Sequence, residues 1–169
     1  PGVGPDQQCD QSAPDEKSRC LMVRAEQSLR VGRVDEAQAD IDASLKLVPD
    51  NSDAAALLSI ISVVKNDKQR ALGLAQHATQ LDPVNPRAWI ALSYAQQASF
   101  KLEDALASAQ RAAELEPRSS IALTRVAELM MSLGKIRSAE RAAQAAVDAN
   151  PNDSRAHTIL GFVHLAEID

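Results

Sequence analysis

Apolar residues recur along the chain at intervals of three and four, the spacing of one face of an α-helix. In the stretch 86–119, one such run contains Trp89, Leu92 and Ala95. A second run, after the break at SFKL, contains Ala105 and Ala109. Each run is about 14 residues long and corresponds to a helix of roughly 20 Å at the helical rise per residue. The stretch therefore predicts two helices joined by a short turn.

This pair of helices recurs every 34 residues without insertions. A proline follows each second helix, where it cannot continue the helix; these prolines are Pro49, Pro83, Pro117 and Pro151. A fixed period of this length indicates a repeat array. The phase predicts a largely irregular leader at 1–17, complete repeats at 18–51, 52–85, 86–119 and 120–153, and the first helix of a truncated fifth repeat at 154–169.

Small residues occupy the two positions of the repeat where the helices of a pair would touch. The eighth position holds Ala25, Ser59, Ser93, Ala127 and Gly161. The twentieth position holds Ala37, Ala71, Ala105 and Ala139. Helix backbones approach closely only where side chains are this small. Together with the abundance of alanine and leucine, this pattern predicts an all-α stack of antiparallel helical hairpins.

The turn inside each hairpin is predicted from one residue. Gly32 and Gly134 adopt the left-handed conformation that ends a helix at little cost, and Asn66 is an accepted substitute. The third repeat has Phe100 at this point, although side chains with a Cβ disfavour this conformation. We therefore expect this turn to be distorted, or the ring to be displaced onto a neighbour.

The order and spacing of Trp89, Leu92, Ser93, Ala105 and Pro117 resemble the tetratricopeptide repeat family, and the resemblance extends over residues 18–169. It implies a right-handed superhelical solenoid in which the first helix of each hairpin lines the concave side. Smaller residues stand here at positions that are usually aromatic in the family, which implies thinner packing.

Three stretches, LGFVHLAEID, ALSYAQQASF and ISVVKNDKQRAL, are also similar to the repeat arrays that follow a FecR-type domain in large bacterial envelope proteins. The chain starts at Pro1 without a methionine and stops within a helical pattern. We therefore expect it to be part of a larger bacterial protein, with the cell envelope or periplasm favoured over the cytoplasm.

The resemblance also implies which residues face the concave groove. They stand at the second, fifth, ninth, twelfth and thirteenth positions of the first helices, and several are large and apolar. Apolar side chains interleaved with single charges are typical of a surface that binds a peptide or a helix. We predict that Tyr94 and Ile90 anchor such a segment. The predicted binding residues are Arg87, Ile90, Tyr94, Gln97, Ile121, Thr124, Glu128 and Met131.

Two alternatives to a binding groove stay open. In the first, Ile60, Val63 and Ile121 simply pack within their hairpins. In the second, the array is a structural spacer that positions flanking domains and has no ligand of its own. The lysine and asparagine pattern with which chaperone-binding members of the family hold a terminal carboxylate is missing, so this binding mode is not expected.

The truncated fifth repeat predicts a further contact. Its single helix lacks the second helix that would cover Leu160, Val163 and His164. An uncovered apolar face in a repeat array favours association. Self-association through this last unit is therefore predicted.

Charge and hydropathy exclude two classes of partner. The net charge is −5 and the isoelectric point is near 5.2, whereas nucleic acids and anionic lipids attract clustered lysine and arginine. No apolar run approaches the roughly 18 residues of a membrane-spanning helix. We therefore expect neither nucleic-acid binding nor membrane insertion.

No motif predicts catalysis or a cofactor. His157 and His164 lie seven residues apart and would share one helix face with Glu167, but no pair of histidines at a spacing of four accompanies them, so we interpret them as structural. A glycine-rich phosphate loop and a GxSxG nucleophile motif are both missing. The sequence thus predicts a non-enzyme without metal or cofactor.

Cys9 and Cys20 leave two alternatives open. They lie eleven residues apart, in no zinc-binding spacing. A disulfide between them would fix the leader to the first helix and indicate an oxidising compartment. The other alternative is two free thiols.

Overall fold

The computed structural model describes Cys9 and residues 13–166, and all regular structure in this range is α-helical. Its helices are α1 (Pro14–Arg30), α2 (Val34–Leu47), α3 (Ser52–Val64), α4 (Lys68–Leu81), α5 (Pro86–Ala98), α6 (Leu102–Leu115), α7 (Ser120–Ser132), α8 (Ile136–Ala149) and α9 (Ser154–Ala166). The predicted all-α class is confirmed. Residues 14–17 of the predicted irregular leader are helical, because α1 begins at Pro14, a residue favoured in the first helical turn.

Successive helices pack as antiparallel hairpins, and the hairpins stack in one direction. Each helix contacts the next one along the chain. The first helices α3, α5, α7 and α9 also contact one another in sequence. They therefore form one continuous layer, which is the predicted solenoid of hairpins.

The serine that opens a repeat ties its hairpin together. Ser18 Oγ and Ser44 Oγ lie 2.7 Å apart, and Ser52 Oγ donates to the carbonyl of Ala78 at 3.0 Å. Both links join residues 26 apart in sequence. Asn85, which caps α5, adds a bond from its Nδ2 to Ser52 Oγ at 3.0 Å. The two serine bonds thus join the two helices of one hairpin, and the bond from Asn85 connects the second hairpin to the start of the third.

The core is built mainly from alanine. In all four complete repeats the eighth and twentieth positions are fully buried, as predicted for helix contacts. Ser59 Oγ donates to the carbonyl of Ala71 at 2.8 Å, so the small side chain of the eighth position bonds directly to the facing backbone. The largest fully buried apolar side chains are Ile41, Ile61, Leu129 and Val163. The interior is therefore filled mainly by small side chains and by helix backbones that pack closely on them, and less by bulky side chains.

The four turns within the hairpins share one geometry. Gly32, Asn66, Phe100 and Gly134 all have a positive φ, and that of Phe100 is 61°. The following residue donates its N–H back into the last helical turn in each case, for example Lys101 to the carbonyl of Gln96 at 3.0 Å. The expected distortion of the Phe100 turn is therefore wrong, since the capping bonds impose the same backbone on any residue. The ring is 84% exposed and lies against Lys68, whose Nζ is 4.9 Å from its centroid.

Replacing Phe100 with glycine is expected to raise the free energy of unfolding by about 1 kcal/mol, because glycine adopts this left-handed conformation without steric cost. Urea denaturation measures the change. The matched control is Gly134→Ala, for which no atom of the described residues beyond the adjacent ones in the chain lies within 4 Å of the added Cβ. It tests backbone strain alone and should lower the free energy of unfolding by about 1 kcal/mol. A Phe100→Gly protein of unchanged or lower stability would contradict the strain at this turn.

Cys9 and Cys20 form a disulfide, with their Cα atoms 5.6 Å apart. Cys9 is almost fully buried, and Cys20 stands in α1. Of the two alternatives, the structure contains the one in which the leader is attached covalently to the first helix. The rest of the predicted leader, at 1–8 and 10–12, lies outside the described residues.

Candidate functional site

A pocket opens where four successive first helices meet. It has a volume of about 440 Å³ and is lined from α1, α3, α5 and α7. We call it the apolar pocket, after its large apolar side chains Met22, Leu57, Ile60, Ile90 and Ile121. These helices reach one surface because the 34-residue phase places the same positions of every repeat on the same side.

The apolar side chains of the pocket differ in burial. Ile121 is 63% exposed, whereas Ile90 is only 8% exposed and packs against Ala112 and Ala122. Ile60 is half-buried and packs, like Val63, against the core between α3, α4 and α5. The alternative of hairpin packing thus describes Ile60 and Val63, but not Ile121.

Four charged residues also line the apolar pocket. Arg87 Nη1 donates to Glu26 Oε1 at 3.1 Å. Asp53 accepts a hydrogen bond from Asn85 Nδ2 at 2.9 Å. Because this amide is neutral, the bond does not compensate the negative charge of Asp53. Glu116 is exposed, and among the described residues neither it nor Asp53 forms an ion pair. The lining therefore holds three carboxylates and one guanidinium.

A polar cluster lies further along the first helices. We call it the arginine cluster, and its members are Ser93, Tyr94, Gln97, Arg125, Glu128 and Arg155. Its centre is Arg125, whose side chain is 2% exposed. Arg125 donates from Nε to Ser93 Oγ at 3.0 Å, and from Nη2 to Gln97 Oε1 at 2.7 Å. Its guanidinium carbon also lies 3.9 Å from the centroid of the Tyr94 ring.

Glu128 and Arg155 complete the arginine cluster. Arg125 Nη1 donates to Glu128 Oε2 at 3.1 Å, and Arg155 Nε donates to Glu128 Oε1 at 2.7 Å. Arg155 Nη2 donates to the Tyr94 hydroxyl at 2.7 Å. One carboxylate thus bridges two guanidinium groups, which are held further by the ring and the hydroxyl of one tyrosine.

The pKa values of the two arginines of the cluster shift in opposite directions. Burial lowers the pKa of Arg125 below its usual value, although Tyr94 and Glu128 act in the opposite direction. Burial also opposes the charge of Arg155, but Tyr94 and Glu128 outweigh it and raise the pKa of Arg155. Both arginines remain protonated near neutral pH. The cluster therefore carries two positive charges against the carboxylate of Glu128.

Two arginines reach across an intervening repeat. Arg87 bonds to Glu26, and Arg155 bonds to Tyr94, and each pair is separated by 61 residues. In both pairs the arginine is the second residue of its repeat, and its partner is the ninth residue two repeats earlier. We call these the cross-groove pairs. They show that first helices two repeats apart lie close enough to bond, as expected on the concave side of a solenoid.

The structure divides the predicted binding residues into three groups. Arg87, Ile90 and Ile121 line the apolar pocket, whereas Tyr94, Gln97 and Glu128 belong to the arginine cluster. The remaining two residues belong to neither. Thr124 is buried, and its Oγ1 has no hydrogen-bond partner among the described residues. Met131 is half-buried and packs against the core between α7, α8 and α9.

Arg125 was not predicted from the sequence, although it is the centre of the cluster. It stands at the sixth position of its repeat, which none of the groove positions includes. The available signal was an arginine within the largely apolar run IALTRVAELMM, with a glutamate three residues later. A charge in such a run must find partners inside the fold.

The histidines take no part in a metal site within the described residues, where no three His, Cys, Asp or Glu side chains are placed to hold an ion. His157 Nε2 lies 2.8 Å from the carbonyl of Pro151, in the turn before α9. Glu167 lies outside the described range. Among the helices α1 to α9, none has the length and hydropathy needed to cross a bilayer.

Two family models described as tetratricopeptide repeat match the chain, one at residues 24–86 and one at residues 96–161. No curated protein matches it in sequence. The fold is similar to that of TTC0263, a thermophilic TPR protein of Thermus thermophilus. The TM-score is 0.80 at 19% identity, over 89% of this chain and 82% of that chain.

Two other solved structures are similar in fold. YrrB, described as a TPR protein with an unusual peptide-binding site, aligns with a TM-score of 0.63 at 18% identity, over 98% of this chain and 84% of that chain. The O-GlcNAc transferase of Thermobaculum terrenum aligns with a TM-score of 0.73 at 23% identity. That alignment covers 82% of this chain but only 27% of the transferase. At these identities the likeness concerns the fold.

Proposed function

This chain belongs to the tetratricopeptide repeat family, and from that membership we propose that it is a non-catalytic scaffold whose concave groove binds a peptide or a helical segment of another protein. The apolar pocket supports this proposal. A concave site of this size, lined by large apolar side chains from four helices, suits one bulky side chain of a bound segment. The described peptide-binding site of YrrB, a protein of similar fold, is consistent with it.

The exposure of the Ile121 side chain is the observation that most directly supports the proposal. Packing within its own hairpin leaves this large apolar side chain 63% exposed at the edge of the pocket. Covering it with a partner would remove apolar surface from water, at about 25 cal/mol per Å² of buried area. Ile121 therefore replaces the half-buried Tyr94 as the first position to test.

We predict that an Ile121→Asp substitution weakens binding by at least about tenfold, the size of effect usual for a central apolar contact. Peptides are first selected on the wild-type protein from a random library, and their affinities are then measured by fluorescence anisotropy. Ala107→Asp is the matched control, because Ala107 is exposed on α6 and does not line the pocket. It should bind the selected peptides as the wild type does.

The spacer hypothesis makes the opposite prediction for this experiment. A spacer has no ligand, so selection should enrich no peptide family, or only peptides that the Ile121→Asp protein binds equally well. Tyr94 is less suitable for the test. Its ring packs on the buried Arg125, so a Tyr94→Ala change alters the arginine cluster together with the groove.

We also propose that the chain is part of a larger bacterial protein in an oxidising compartment. The disulfide between Cys9 and Cys20 supports the oxidising compartment. The larger bacterial protein is proposed only from the resemblance of three sequence stretches to repeat arrays of envelope proteins. The proposal is tested by thiol alkylation of the protein in its native cells. Alkylation of both cysteines without prior reduction would contradict it.

The outer face of α9 supports self-association. The expectation that Val163 is uncovered is wrong, because it is fully buried against α7 and α8. The exposed residues on α9 are instead Gly161, at the eighth position that is fully buried in the four complete repeats, and the apolar Phe162 and Leu165. We predict a concentration-dependent dimer by light scattering, which a Phe162→Glu substitution abolishes. Val64→Glu, at an exposed apolar residue on α3, should leave it intact. A monomer at all concentrations would contradict the prediction.

A further inference from the structure

We propose that the apolar pocket selects a bulky apolar side chain with a lysine or an arginine beside it, so that the partner of the groove is a basic segment. This inference rests on the proposed function that the groove binds a protein segment. It adds the charge of the partner, which neither the fold nor the family determines.

The charges that line the pocket are unequal. Glu26, Asp53 and Glu116 contribute three carboxylates, and Arg87 contributes one guanidinium. Arg87 is bonded to Glu26 at 3.1 Å, so these two charges largely compensate each other. Asp53 and Glu116 remain, both exposed and both without an ion pair among the described residues. The mouth of the pocket therefore carries an excess of two negative charges.

This excess distinguishes between partners that offer the same apolar side chain. A neighbouring lysine or arginine would pair with Asp53 or Glu116 beside the apolar contact. A neighbouring glutamate or aspartate would instead meet two carboxylates that have no counter-charge. Like charges brought together at an interface suppress binding, and complementary charges mainly accelerate association.

The arginine cluster is a separate group of charges, and none of its members lines the apolar pocket. Its two guanidinium groups face one carboxylate, Glu128, so the cluster keeps one net positive charge. Arg125 is buried, which leaves Arg155 as the exposed guanidinium of the cluster. An acidic side chain that met Arg155 would therefore lie outside the apolar pocket, whose own mouth has a negative excess.

The experiment uses the peptides selected on the whole wild-type chain. We expect the enriched peptides to carry lysine or arginine within two residues of an apolar anchor. Changing that residue to glutamine should weaken binding roughly three- to tenfold at low salt, and the difference should shrink in 0.5 M salt because exposed charges are screened.

A charge-matched pair of protein variants localises the effect. Asp53→Asn with Glu116→Gln should weaken binding of the basic peptides by about tenfold at low salt. Glu103→Gln with Asp104→Asn removes two exposed carboxylates outside the pocket, so the net charge changes by the same amount. This control should bind with wild-type affinity.

The two hypotheses fail in different ways. If peptides are enriched without a basic residue, or if both double variants bind them equally well, the charge preference is overturned while groove binding stands. If no peptide is enriched, or if the Ile121→Asp protein binds the selected peptides with wild-type affinity, the proposed function is overturned and the charge preference with it.

Discussion

Replacing Glu128 with alanine is expected to lower the free energy of unfolding by about 3 kcal/mol, because it removes the carboxylate that compensates a buried cation. Arg125 is almost fully buried and donates to Glu128 at 3.1 Å. Without Glu128, the charge of Arg125 would keep only neutral hydrogen-bond partners such as Ser93 and Gln97. Arg155 would lose its carboxylate partner at the same time. Chemical denaturation followed by circular dichroism measures the loss.

A second arginine and glutamate pair provides the matched control. Arg111 and Glu114 have the same spacing of three residues and lie 3.0 Å apart, but both side chains are exposed. Glu114→Ala should therefore change the free energy of unfolding by less than about 0.5 kcal/mol. Arg125→Met, which removes the buried charge itself, should cost less than Glu128→Ala. Equal losses for Glu128→Ala and Glu114→Ala would show that burial of the pair is not decisive.

Replacing Ala105 with leucine is expected to lower the free energy of unfolding by about 2 to 3 kcal/mol, because it inserts three carbon atoms at a fully buried core position. Ala105 is fully buried, and so is Ser93 at the eighth position of the same repeat. The repeat phase leaves these helices little freedom to move apart, since each is also packed against a neighbouring hairpin.

The control for this substitution lies on the same helix. Ala107 is exposed, and alanine and leucine have similar helix propensities, so Ala107→Leu should change stability by no more than about 0.5 kcal/mol. Thermal and urea denaturation of both variants make the comparison. A tolerated Ala105→Leu would mean that the hairpin can widen, and that the small residues of the repeat are not required by packing.

The helices were predictable because their signals are local and repeated. Apolar spacing, the four phased prolines and the small residues at the eighth and twentieth positions give the same boundaries in every repeat. The start of α1 was not predicted, since Pro14 opens the helix before the repeat phase begins at Ser18. Phe100 shows a related difficulty. Its side chain argues against a left-handed turn, but the capping bonds from neighbouring residues determine the backbone there.

The groove was only partly predictable, for a different physical reason. Repeat positions identify which residues face the concave side, and they led to Arg87, Ile90 and Ile121 in the apolar pocket. They do not show which side chains bond to one another across repeats. The burial of Arg125, and the bond from Arg155 to Tyr94, depend on the curvature of the stack and therefore on the three-dimensional structure.

The cross-groove pairs also bear on how the chain folds. Most helix contacts are between helices that are neighbours along the chain, and the others join helices two apart, so the contacts are largely local and the hairpins can form rapidly. Arg87 with Glu26 and Arg155 with Tyr94 are exceptions, since each bond needs three consecutive repeats in place. We expect bonds of this kind to form late in folding, because three repeats must already be in place. A bond that forms after the transition state slows unfolding and leaves the folding rate almost unchanged. We therefore expect the arginines that border the groove to slow the unfolding of the stacked repeats.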